Sequence, residues 1–182
     1  ILEGDVSTFV PTNVISITDG NILLKPELFY SGIRPAMDVG ASVSRVGSSA
    51  QTKAMKAVAK TIKADISRYN EVKSFAMFGT EGLDASTQNL LNHGEKLIEI
   101  LKQGQSSPMA LDEQTVALFA ANLVDDLPTE DVRRFEADLL AHMHDSHSEL
   151  MAEIRESEDL SDESVDKLTD AIEKFKRGFR VS

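Results

Sequence analysis

Pro128-Thr129-Glu130-Asp131-Val132-Arg133-Arg134-Phe135-Glu136-Ala137-Asp138-Leu139-Leu140-Ala141-His142-Met143 is the stretch that decides the fold. Val132, Phe135, Leu139, Leu140 and Met143 recur at three- and four-residue intervals, so one stripe of a helix is apolar and the rest is polar. Thr129 is placed to cap that helix, and Glu130 and Asp131 suit the positive end of its dipole.

The same periodicity extends in both directions. Leu150, Met151 and Ile154 continue or restart the helix, and a last one is capped by Ser161, buries Val165, Leu168, Ile172 and Phe175, and stops at Gly178. Toward the N-terminus, Val116, Phe119 and Leu123 mark a shorter helix, set off by the breakers Gly104 and Pro108. A helix starting near Asp84 or Ser86 carries Leu90, Leu91, Leu97, Ile98 and Leu101. From Ser48 a long helix shows Met55, Val58, Ala59, Ile62, Ile66 and Tyr69 on one side, with Gly79 and Gly82 interrupting the pattern after it. Residues 51–182 are therefore expected to form an antiparallel bundle of five to seven helices.

Residues 1–50 read differently, as strands and loops. Val14, Ile15 and Ile17 form a short apolar run ended by the turn signal Asp19-Gly20-Asn21, and Ile22-Leu23-Leu24 follows at once. Val39 to Val46 mixes β-branched residues with Gly and Ser, like a strand running into a tight loop. Arg45 sits there among small neighbours, where backbone can approach a partner closely.

The chain has 182 residues, 41% hydrophobic and 27% charged, enough to bury a core. Its lack of cysteine excludes a disulfide scaffold and a thiolate metal site. No apolar run approaches the roughly 20 residues a membrane-spanning helix needs. The net charge is −11, with −2 in residues 1–51 and −9 in residues 52–182, which disfavours nucleic acid and anionic lipid as partners. His142, His144 and His147, even with Asp145 and Glu149, lack a strong zinc spacing and read as solvated helix residues. No Gly-x-x-x-x-Gly-Lys-Ser/Thr loop is present, so nothing in the chain cradles phosphates. Arg45, at a strand end beside the hydroxyls of Ser42 and Ser44, meets the local requirements of a guanidinium that grips phosphate oxygens, although such an arginine taken alone is more often an ordinary surface or ion-pair residue.

Four segments carry a family resemblance: Gly4-Asp5-Val6, Pro11-Thr12-Asn13-Val14-Ile15-Ser16-Ile17-Thr18-Asp19-Gly20, Ser42-Val43-Ser44-Arg45-Val46-Gly47 and Val132-Arg133-Arg134-Phe135-Glu136. Together they resemble the alpha subunit of the rotary, proton-driven F-type ATP synthase. The resemblance implies a mainly α chain: residues 1–50 as the remnant of a partial α/β (RecA-like) nucleotide-binding domain contributing a few strands, and 51–182 as the C-terminal helical bundle. It also implies that the chain corresponds to the final third or so of a longer subunit.

By resemblance, Arg45 is an arginine finger supplied in trans to the catalytic nucleotide of a neighbouring beta subunit, and Ser16 lies at the same interface. Asp19 is a turn former. Phe29, Arg34, Pro35, Gln103 and Gln105 match the adenosine end of a second site, which binds ATP without turning it over. The cofactors implied are ATP or ADP with Mg2+ in the intact complex, and none in this chain alone, which is expected to be inactive. The partners implied are beta subunits in an alternating hexameric ring, a central gamma shaft and a stator, with no nucleic acid and no direct membrane insertion. The implied place is a peripheral complex on the cytoplasmic face of a bacterial plasma membrane, or its mitochondrial or plastid equivalent. Two departures from the family pattern stand out: Gly82 reads as a one-residue insertion, and Phe119-Ala120-Ala121-Asn122-Leu123 lacks a glycine-rich loop. The competing reading is a free-standing acidic helical interaction module without catalysis.

Overall fold

The computed structural model describes residues 5–76 and 84–181; Gly4, Gly79 and Gly82 lie outside the described residues. The chain divides into two compact units, Ile1–Gln51 and Thr52–Ser182.

The first unit opens with helix α1 (Phe9–Ile17), where the sequence reading expects a strand. An apolar run as short as Val14-Ile15-Ile17 fits either period, and local bonds favour the helix. The hydroxyls of Thr12 and Thr18 bond back to the carbonyls of Thr8 and Val14, and Pro11 lies in the first turn, where no N–H is needed. Two short strands, β1 (Gly20–Asn21) and β2 (Val43–Ser44), pair antiparallel with Gly20 opposite Ser44 and Asn21 opposite Val43. A Cβ on Gly20 would lie 2.5 Å from the Val43 carbonyl oxygen, so this close approach requires glycine. Helix α2 (Pro26–Tyr30) lies between the strands. Lys25 pairs with Asp38 at 2.5 Å, and the Leu24–Met37 bridge extends the contact between the flanking segments. Among the described residues of this unit only Ser42 is buried, while Phe9, Ile17 and Tyr30 are each more than 80% exposed.

The second unit is helical throughout, with seven α-helices among its described residues. A 3-10 turn over Gly47–Ala50 precedes α3 (Lys53–Ala59), so the expected long helix starts later than Ser48, and it breaks at Lys60-Thr61 before α4 (Ile62–Ala76). The Thr52 hydroxyl caps α3 by accepting from the Met55 N–H. Asp84 caps α5 (Ala85–Ile100) in the same way, through the Thr87 N–H. Then come α6 (Leu111–Ala120), α7 (Thr129–Ser146), α8 (Ser148–Ser157) and α9 (Asp162–Gly178), with Ser161 capping the last.

Helices α4 and α5 pack against each other, α5 meets α7, α6 meets α3 and α8, and α9 lies on α7 and α8. Val132, Phe135, Leu139 and Met143 are fully buried, with Val116, Ile154, Leu168 and Ile172 around them. The apolar stripe read from residues 132–143 is thus the centre of the core. One local expectation changes. Thr129 is the first residue of α7 rather than its cap, and its hydroxyl accepts from Lys96 Nζ at 2.8 Å. Lys96 is itself buried and also donates to Asn92 Oδ1, so the start of α7 satisfies a buried ammonium from α5.

Candidate functional site

Arg45 follows β2, and its backbone N–H donates to the Asp19 carbonyl at 2.8 Å, which fixes the start of the side chain. The Ser44 hydroxyl accepts from the Gly47 N–H, closing a tight loop in which Gly47 adopts φ +58. From this position the guanidinium reaches the C-terminal end of α1. Nη1 lies 3.3 Å from the Ser16 carbonyl and Nη2 lies 3.4 Å from the Ile15 carbonyl. A cation here complements the negative end of the helix dipole and takes up carbonyls left without a helical partner.

Ser16 and Arg45 therefore do meet, though through the Ser16 backbone. The Ser16 hydroxyl bonds back to the Asn13 carbonyl at 2.8 Å. Arg45 is exposed and forms no ion pair with a carboxylate among the described residues. Its two bonds are long and go to neutral acceptors. A phosphate oxygen would form a shorter, charge-assisted bond with the same fork.

Phe29 and Arg34 also come together, with the Arg34 guanidinium 4.4 Å from the Phe29 ring centroid. Pro35 follows Arg34 through a cis peptide bond. Arg34 thus sits over an aromatic face, and Phe29 keeps about half its surface exposed.

Gln103 and Gln105 belong to the second unit, in the loop after α5. Gln103 Nε2 donates to the Ser107 carbonyl at 2.7 Å, and the Ser107 hydroxyl donates to the Gln105 carbonyl. Beside them is a cavity of about 200 Å³ lined in part by Gln103, Met109, Gln114 and Glu136. Glu136 of this wall and its partner Arg133 are not among the candidates read from the sequence. Arg133 Nη1 donates to both the Lys102 carbonyl and Glu136 Oε2, tying the end of α5 to α7. Burial pushes the Glu136 carboxyl up to about 7, against the opposing pull of Arg133. The available signal was their i, i+3 spacing on α7, which places both on one face.

His144 stands apart from His142 and His147. His144 meets Glu113 at 3.0 Å, while His142 stacks on Phe175. Among the described residues no group of three or more His, Asp or Glu side chains is placed to hold a metal ion.

Residues 51–175 match the family described as ATP synthase alpha/beta chain, C terminal domain. The chain belongs to the ATP synthase alpha/beta family. Residues 1–44 match the nucleotide-binding domain of that family, so Ser16, Phe29, Arg34 and Pro35 fall within the second match and Gln103 and Gln105 within the first. The chain is 51% identical over 180 residues to proteins named ATP synthase subunit alpha from Mycobacterium bovis and Mycobacterium tuberculosis. Those alignments cover 98% of this chain and 33% of each relative, so the chain spans about a third of the length of the curated relatives it matches. The bundle corresponds to the family's C-terminal domain, and among the described residues no helix is long and apolar enough to cross a membrane.

Proposed function

We propose that this chain acts as part of an ATP synthase alpha subunit, in a peripheral complex on the cytoplasmic face of a bacterial membrane. That complex makes ATP from ADP and phosphate with a proton gradient, or hydrolyses ATP in reverse. Residues 1–50 are read as the end of the nucleotide-binding domain and 51–182 as the helical bundle of the ring. Arg45 is the arginine finger, presented to the catalytic site of an adjacent beta subunit. There it stabilises the negative charge that builds on the γ-phosphate and bridging oxygens during phosphoryl transfer. Ser16 holds it in place through its carbonyl oxygen. In the intact complex the nucleotide would be bound with Mg2+, which would supply charge neutralisation at the phosphates.

The observation that supports this role is the state of Arg45: exposed, directly after a strand, bonded through its side chain to two neutral carbonyls and, among the described residues, paired with no carboxylate. Because two bonds already restrict the guanidinium, less ordering entropy is lost when phosphate arrives.

The second, non-catalytic nucleotide site is read as using Phe29, Arg34, Pro35, Gln103 and Gln105 at the adenosine end. Phe29 offers a flat apolar face, and the glutamine amides both donate to and accept from a base edge.

The test is reconstitution of the full-length subunit with its ring partners and measurement of ATP turnover for the parent and Arg45→Ala. Loss of turnover with intact assembly is expected. Undiminished turnover would remove the finger from the mechanism.

A further inference from the structure

The chain carries a second concentration of positive charge, in the bundle and independent of Arg45. A groove of about 720 Å³ runs between α7 and the end of α9. Its floor is aromatic. Phe175 lies 5.4 Å from the fully buried Phe135, Phe179 lies edge-on to Phe135 at 5.2 Å, and the His142 ring stacks on Phe175 at 5.1 Å and 25°. His147 meets His142 edge-on at 5.4 Å.

Cations rim this floor. Basic residues at a helix C-terminus are ordinary, and two of those on α9 are accounted for in that way: Lys176 bonds to Asp126 and the Leu123 carbonyl, and Arg177 bonds to Glu173. Arg134 is also engaged, with Asp131, with the Arg180 carbonyl and over the Phe179 ring at 4.3 Å. Lys174 and the Arg180 side chain are different. Both are exposed, both line the groove, and neither forms an ion pair or side-chain hydrogen bond with any described residue. Asp138 is the one carboxylate in the lining. Burial, then the neighbouring charges of His142 and Lys174, hold the His147 imidazole below its ordinary range, which marks a locally positive environment.

A locally positive, aromatic-floored groove in a chain of net charge −11 calls for a local anion with an apolar part. We propose that this groove docks an acidic segment of a partner polypeptide, which seats an aromatic side chain on Phe175 and Phe179 and sets flanking carboxylates against Lys174 and Arg180. Its volume falls in the range that takes a few side chains. An extended polyanion such as a lipid surface or nucleic acid fits worse, because it would face the surrounding acidic surface over many Debye lengths of about 8 Å each. A short segment experiences only the groove.

The experiment is a titration of the isotope-labelled chain, following the ring signals of His142 and His147. The probe is a synthetic peptide alternating glutamate with phenylalanine. Controls replace its glutamates by lysine or its phenylalanines by alanine, and add vesicles of anionic phospholipid. The expected result is saturable displacement of both ring signals by the parent peptide alone. Lys174→Glu and Arg180→Glu should each weaken it by roughly threefold, as exposed ion pairs do, with unchanged circular dichroism. Binding of the lysine peptide as strong as that of the parent, unchanged affinity in the doubly reversed variant, or displacement by vesicles but not by peptide would each overturn the proposal. So would the absence of any displacement.

Discussion

Gly94 of α5 lies directly against the buried Tyr69 of α4: a Cβ at position 94 would sit 2.3 Å from Tyr69 Cδ2 and 2.4 Å from its Cγ. Glycine inside a helix ordinarily costs about 1 kcal/mol relative to alanine, so its presence here trades local propensity for a close helix crossing. Tyr69 fills that space, and its hydroxyl accepts from Lys73 Nζ at 2.9 Å.

Gly94→Ala should therefore destabilise the bundle despite its better helix propensity. A clash with the root of a buried ring cannot be relieved by moving a flexible tip, and overpacking of this kind costs roughly 1–3 kcal/mol. Denaturant unfolding of the two proteins gives the comparison, and equal or higher stability of the alanine variant would contradict the packing described.

Glu136 makes the bundle sensitive to pH. Its folded value, about 7, stands above the ordinary 4.5, so folding favours the neutral acid. Stability from this group is complete below about 4.5 and is lost as pH rises through 7, by on the order of 3 kcal/mol. Glu136→Gln should remove that loss. The variant should match the parent near pH 4 and exceed it near pH 8 in denaturant midpoints, and parallel pH profiles would count against the assignment.

Asp112 behaves in the opposite sense. Burial pushes its carboxyl up, but the Arg155 bond at 2.5 Å and nearby backbone N–H groups outweigh it, and the net displacement is downward. Its contribution is present above the ordinary 3.8 and is lost as pH falls through the lowered folded value. Asp112 is fully buried and its Oδ1 has no hydrogen-bond partner among the described residues, so Arg155→Ala leaves a charge with no counterion. A loss of stability at neutral pH is expected, measurable by thermal or denaturant unfolding.

Arg45→Lys should resemble Arg45→Ala in the assembled enzyme. A single ammonium cannot span two acceptors as the fork does, and fingers of this kind are worth about 10³ to 10⁵ in rate, or about 4–7 kcal/mol. Steady-state ATP turnover at matched assembly decides it, since near-parental activity in the lysine variant would reduce the role to plain charge.

The two units should differ in local stability. Thr52–Ser182 has a continuous core, whereas residues 5–51 bury only Ser42. Amides of residues 5–51 are expected to exchange with solvent well before those of α7 and α9. Equal protection across both units, measured on the monomeric chain, would show that the first unit has a stability of its own.

Much of this was legible in the sequence. The stripe of Val132, Phe135, Leu139 and Met143, the helix start near Asp84 or Ser86, the cap at Ser161 and the breaks around Gly104 and Pro108 are local signals, and local signals fix helices whose apolar face is long enough to have a definite period. The family segments likewise identified the chain. The run at residues 14–17 misled because three apolar residues carry no period, and the hydroxyl and proline chemistry around it favoured a helix. Other features depend on contacts between residues far apart in the chain. These include the grip of Arg45 on the carbonyls of Ile15 and Ser16, the burial of Lys96 against Thr129, the tie from Arg133 to Lys102, and the Arg134–Phe179 edge of the cationic groove. Sequence determines which face of each element is apolar. Which charges lose their water and which partners compensate them is decided only when packing brings those faces together.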